Sequence, residues 1–184
     1  MISRYFLAYL TSFSLLFSCS NSENNIRKVV ESSEDLMTET AIDVTLNFSE
    51  FGQSKLLLNS PKLVRFEDEN NQLIMECDSG LELVFYDSLK NIESVLVADY
   101  GKLFSQNQLL DVQRNVVFYN KQNDTLFAEE LLIDFAKDSI YSKNAVTFSN
   151  EEGKITGNKL KANSNFTFFE LSDISESHVN YNID

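Results

Sequence analysis

The chain has no tryptophan, one histidine, one proline, five glycines and two cysteines in 184 residues. Each scarcity removes a class of protein. So little Pro and Gly excludes a disordered low-complexity chain. The lone histidine, His178, sits in the polar segment SESHVN near the C-terminus, a setting that reads as exposed. No HExxH, CxxC or GxSxG occurs, so zinc-protease, thiol-redox and serine-hydrolase chemistry lack their residues. Acid pairs such as Glu129-Glu130 and Glu151-Glu152 are immediate neighbours, and successive residues of a strand point to opposite sides. An enzyme is therefore not expected, and neither a cofactor nor a metal is called for. Basic residues are also scarce: 15 Lys and Arg stand against 28 Asp and Glu, a formal net charge of −13. That balance argues against nucleic acid and against polybasic docking on a membrane, while serving solubility in any case.

What the chain does have is hydrophobicity, 43% of its residues, with 15 Phe and 7 Tyr. These favour pleated, half-buried surfaces. The most informative stretch is 115–162. Val116 and Phe118 flank Val117, Leu131, Ile133 and Phe135 alternate with Leu132 and Asp134, and Val146 and Phe148 flank Thr147. A period of two puts one set on one face of a strand. Asn, Asp, Lys and Gly between the runs turn the chain. The stretch also repeats itself: Val116 and Phe118 return as Val146 and Phe148, and Leu126 and Leu131 return as Ile155 and Leu160. Each unit reads as strand, turn, strand, stacked so that each buries its face against its neighbours.

The same alternation runs through Val44, Leu46 and Phe48, then Leu56 and Leu58, Val64 and Phe66, Leu73, Met75 and Cys77, Leu81, Leu83 and Phe85, and Val95 and Val97. Pro61 cannot donate to a ladder and fits a strand start or an edge. The chain closes on Phe166, Phe168, Phe169, Leu171 and Ile174, followed by a polar tail. About a dozen short strands with short connections imply an all-β, antiparallel domain with one apolar face to cover. A sandwich, a closed barrel or a folded-over open sheet would each cover it.

Residues 1–18 have the shape of an export signal: Arg4, then an apolar run over residues 5–17 that is too short to span a bilayer. The run ends in Leu16-Phe17-Ser18-Cys19, which resembles the lipobox of bacterial lipoproteins. That resemblance implies cleavage before Cys19 and a lipid on its thiol; the alternative is an uncleaved anchor with an incidental cysteine. Residues 19–40 read as a tether. Cys77 would then be the one free thiol, and its place in the alternation makes it a small core residue.

The order of segments in the domain, 41–184, resembles the LptC family, the periplasmic component of the lipopolysaccharide-export ABC transporter. The likeness is carried by Ala41-Ile42-Asp43-Val44, Ser49-Glu50-Phe51-Gly52, the run from Leu56 to Phe66, Glu93-Ser94-Val95-Leu96, and Val97-Ala98-Asp99-Tyr100-Gly101. It continues through Asn115-Val116-Val117, Asp124-Thr125-Leu126, Glu129-Glu130-Leu131, Ile140-Tyr141-Ser142 and Gly153-Lys154-Ile155-Thr156-Gly157. Asn123-Asp124 stands where the pattern commonly has Gly, and no Trp follows Leu131.

The resemblance implies an open, twisted antiparallel β jelly roll, folded over so that apolar side chains line a groove for the acyl chains of lipopolysaccharide. The lining expected from it is Val64, Phe66, Leu83, Phe85, Val116, Phe118, Leu131, Ile133, Phe135, Val146, Phe148, Phe166 and Phe168. The competing reading is that these residues form ordinary core, sealed against each other, in a structural β-sandwich lipoprotein. The resemblance further implies anchorage through Cys19 at the periplasmic face of the inner membrane. The N-terminal edge strand would pair with the transporter's permease and the C-terminal edge with a periplasmic bridge protein of the same fold group. The chain has no GxxxxGK[ST] loop, so ATP would be used by a partner.

Overall fold

The computed structural model describes residues 38–179. The expected signal peptide, the Cys19 anchor and nearly all of the tether lie outside the described residues, as do the last five.

Twelve strands follow one another: β1 (Glu39–Glu50), β2 (Gln53–Glu67), β3 (Leu73–Cys77), β4 (Leu81–Tyr86), β5 (Ile92–Ala98), β6 (Tyr100–Phe104), β7 (Leu109–Asn120), β8 (Thr125–Asp134), β9 (Ser139–Ser142), β10 (Val146–Asn150), β11 (Gly153–Ala162) and β12 (Phe169–Val179). All belong to one antiparallel sheet. The described chain is all-β, and among the described residues no helix is long and apolar enough to cross a membrane.

The topology is a meander with a crease. The long strands pair with two short ones each, one at either end. β2 meets β4 through residues 56–59 and β3 through residues 64–67. β7 meets β6 with its first half and β5 with its second. β8 meets β10 and then β9, and β11 does the same. So β3 and β4 are halves of one bent pass, as are β5 and β6, and β9 and β10. Every pass crosses the crease, and the sheet folds into two layers that face each other. β1 and β12 are the outermost passes, paired on one side only.

The bends use residues that can leave the extended region. Asp43, Arg114, Asn115, Lys159 and Asp173 have positive φ, between 47° and 66°, and Gly80 has 96°. Asn and Asp tolerate this left-handed region better than other side chains. The β7–β8 register slips between Gln113 and Val116, a bulge that turns the strand. Pro61 sits inside β2 at its bend, where the β1 pairing skips from Ser60 to Lys62.

Asx residues make the turns at the open ends of the layers. Asp68 Oδ1 accepts from the N–H groups of Asn70 (2.9 Å) and Gln72 (2.8 Å). Asp87 Oδ1 does so from Leu89 (2.8 Å) and Asn91 (2.9 Å), and Asn120 Oδ1 from Gln122 (2.9 Å) and Asp124 (3.0 Å). Asn150 Oδ1 accepts from Glu152 and Gly153. The polar runs between strands were thus chemically specific turn makers.

Between the layers the side chains form rows. Leu46, Leu58, Leu83, Leu96, Phe118, Leu126, Phe148 and Ile155 are successive register partners across one layer. Met75, Leu103, Leu110, Ile133, Ile140, Ala162 and Phe169 run across the other. Phe85 of the first layer and Phe135 beside the second lie 6.5 Å apart, ring to ring, across the interior.

Candidate functional site

The two layers do not close evenly. Toward β1 they leave a cavity of about 780 Å3, lined by both layers. Phe48, Leu56, Leu58, Leu83 and Phe85 come from one side, and Met75, Leu103, Leu110, Ile133 and Ile140 from the other. This is the size of a small-molecule site, and its walls are mainly apolar. Polar groups gather at its mouth, Glu50, Glu93 and Asp138, with Lys55 the one base of the lining, while Asp134 is buried in the wall. Such a rim offers an anionic head group little attraction.

Asp134 is anchored in that wall. Its carboxylate accepts from Lys137 Nζ at 2.7 Å, which holds it below the usual carboxylate range. Cys77 also lines the cavity, and burial pushes its thiol up, so it stays protonated and unreactive. It behaves as the small core residue its place in the alternation suggested.

Toward β12 the interior is filled. Phe118 lies against Phe166 at 4.9 Å between ring centroids. Phe148 meets Phe166 at 5.9 Å and Phe169 at 4.5 Å. Phe85 joins this cluster to the cavity wall through Phe118, at 5.6 Å.

The expected lining residues fall into three groups. Leu83, Phe85, Ile133 and Phe135 line the cavity. Val116, Phe118, Leu131 and Val146 are buried core, with Phe148 and Phe166 packed against it. Val64, Phe66 and Phe168 are in neither group. On β2 the buried set is Leu56, Leu58 and Ser60 before the bend, and Leu63 after it. The bend at Pro61 shifts the alternation by one, so Val64 and Phe66 face outward. There Lys102 Nζ stands 5.9 Å from the Phe66 ring and 5.5 Å from Phe104. Phe168 is 47% exposed, in a loop, with Lys161 Nζ over its ring at 5.8 Å. Phe166 is in that same loop, because β12 starts only at Phe169.

The cavity wall also includes Leu56, Leu58, Leu81, Leu103 and Leu110 of β2, β4, β6 and β7, which the sequence reading does not assign to the lining. Their alternation was visible, but nothing in it distinguishes a wall facing space from one facing another side chain. The strand at the C-terminal edge extends past Ile174 into the polar tail, since β12 continues through Ser175-Glu176-Ser177-His178. His178 is exposed there and pairs with Lys154. Among the described residues no cluster of three or more His, Cys, Asp or Glu could hold a metal ion.

Comparison with known proteins adds one positive finding. Residues 5–179 match the family model described as "Lipopolysaccharide-assembly, LptC-related". No curated protein matches the chain.

Proposed function

Since this chain belongs to the LptC-related family of lipopolysaccharide assembly, we propose that it carries lipopolysaccharide by its acyl chains, in the cavity between the two layers, on the way from an inner-membrane ABC transporter toward the outer membrane. It works as a transport component and not as an enzyme. The observation that carries this reading is the two-layered apolar cavity of about 780 Å3 at the β1 side. Each CH2 of an acyl chain moved out of water contributes about 0.8 kcal/mol. A chain of about a dozen carbons therefore resists crossing an aqueous compartment bare by roughly 10 kcal/mol. An apolar cleft with an acidic rim suits such a cargo, held by hydrocarbon contact and not by charge.

The two edge strands supply the partner sites. β1 and β12 each have one unpaired side, and extended chains add to such edges through main-chain hydrogen bonds. In this reading β1 pairs with the transporter permease and β12 with the periplasmic bridge protein. Residues 1–18 direct export, lipidated Cys19 holds the chain at the periplasmic face of the inner membrane, and residues 19–40 let the β domain stand off from it.

The packed half near β12 favours a second reading, a β-sandwich with a sealed core. Photocrosslinking separates the two. With p-benzoylphenylalanine at Leu83, Phe85 or Ile133, lipopolysaccharide is captured; at the outward Phe66 and the exposed Phe168 it is not. Equal yields on both faces, or none from the cavity, would reject the transport reading.

A further inference from the structure

The loop between β11 and β12 reaches across the opening between the layers. Asn163 organises it: its Oδ1 accepts from Phe168 N (2.9 Å), its Nδ2 donates to Thr167 Oγ1 (2.7 Å), and its main chain bonds Phe166 N (3.2 Å) and Phe168 O (3.1 Å). Residues 163–168 therefore hold their own shape. Two polar contacts tie this unit to what faces it. Asn165 Nδ2 donates to Glu93 Oε1, at the start of β5, at 3.2 Å. Ser164 N donates to Asp138 Oδ1, in the β8–β9 turn, at 3.2 Å. Glu93, Asp138 and Ser164 all line the cavity, so both contacts lie at its rim.

From this loop Phe166 enters the interior and fills the space between Phe118 and Phe148. Its φ is +58°, a region that bulky side chains adopt only when their surroundings impose it. The ring is half-buried, whereas Phe118 beneath it is fully buried. Phe118 in turn touches Phe85, a wall of the cavity. Phe166 is thus one of the side chains that fill the interior between its open half and β12.

We propose that the 163–168 loop is a strap that closes the β12 half of the trough, with Glu93 as its latch, and that an acyl chain reaches β12 only when Phe166 leaves its place between Phe118 and Phe148. This rests on the lipid-carrying reading above and adds its regulation. A loop with its own internal bonds moves as a unit, and two rim contacts are few to break. Withdrawal needs no change in the strand ladder. It would extend the cavity along Phe118, Phe148 and Phe169 to the edge strand.

The test uses the full chain and purified lipopolysaccharide, with p-benzoylphenylalanine at Leu83 in the cavity or at Leu171 on β12, beyond the strap. In one protein Glu93→Cys and Asn165→Cys are joined by oxidation; in another Glu93→Ala removes the latch. Locking is expected to leave capture at Leu83 intact and to lower capture at Leu171 roughly tenfold, reversed by reductant. E93A is expected to raise capture at Leu171 several-fold, and decides alone if the disulfide does not form. Equal capture at Leu171 in the locked, reduced and E93A proteins would overturn the strap and leave the lipid reading standing. No capture at Leu83 in any protein overturns both.

Discussion

Phe118 and Phe148 are both register partners of Leu126, one from each side. The β7–β8 unit and the β10–β11 unit are therefore stacked in phase, and Ile155 continues the row beyond Phe148. Equivalent residues of the two units lie side by side across the strands. Large side chains then meet large side chains of the same layer, while the opposite layer supplies the rest of the contacts. The row is as continuous as its least bulky member allows.

Leu126 is the hinge of that arrangement, with 0% exposure. Leu126→Ala is expected to lower stability by about 2–5 kcal/mol, from lost burial and the cavity left between two phenylalanines. Its neighbour Phe127 faces outward and is 45% exposed. Phe127→Ala should stay within about 0.5 kcal/mol of the parent. Urea unfolding of both variants measures the contrast, and equal losses would contradict the register.

How much of this could be read from the sequence depended on the crease. Period-two alternation located the strands because one face of nearly every pass is buried. It misjudged the side at Val64 and Phe66, since a bend at Pro61 changes which parity faces inward and leaves no hydrophobic mark. Phe166 and Phe168 read as strand because they alternate, but the Asn163 bonds hold them in a loop. The tail beyond Ile174 gives no strand signal because an edge strand with polar residues on both faces carries no alternation. Leu83 and Phe85 were legible as inward, yet cavity wall and sealed core look alike until the opposite layer is in place.

Gly157 reports on how closely β12 is held. A Cβ there would sit 2.7 Å from the main-chain oxygen of Ser172 and 3.0 Å from Leu171 Cγ. A backbone atom cannot swing aside as a side-chain tip can. Gly157→Ala is therefore expected to push β12 away from β11 and speed amide exchange across Phe169–Val179. Exchange in β4 and β5 should be unchanged. Uniform protection in both regions would show that β12 accommodates the methyl.

Tyr100 gives an alkaline signature. Burial and the hydrogen bond it donates to Glu76 push its hydroxyl from an ordinary value near 10 up to about 12. The folded state thus holds this proton more tightly than the unfolded chain. Its contribution is complete below pH 10 and is lost as the pH rises toward 12. Melting temperatures should fall across that window in the parent and less steeply in Tyr100→Phe. Parallel curves would assign the loss to other groups.

The acid side has the opposite sign. Asp68 and Asp87 accept main-chain N–H groups in their turns, and Asp134 is bonded to Lys137; all three are held below the ordinary aspartate value of 3.8. Their stabilisation is present above that value and is lost as the pH falls through their folded-state values. Relief of repulsion in a chain of net charge −13 acts the other way as carboxylates elsewhere begin to protonate. The melting temperature is therefore expected to hold or rise from pH 7 toward 4 and to drop below it. Asp87→Asn separates the two effects, because an amide oxygen can still accept from Leu89 and Asn91 without titrating. That variant should lose less stability between pH 4 and 2 than the parent does. An identical loss would mean that the Asp87 turn does not sense the proton, and that the acid limit is set by overall charge.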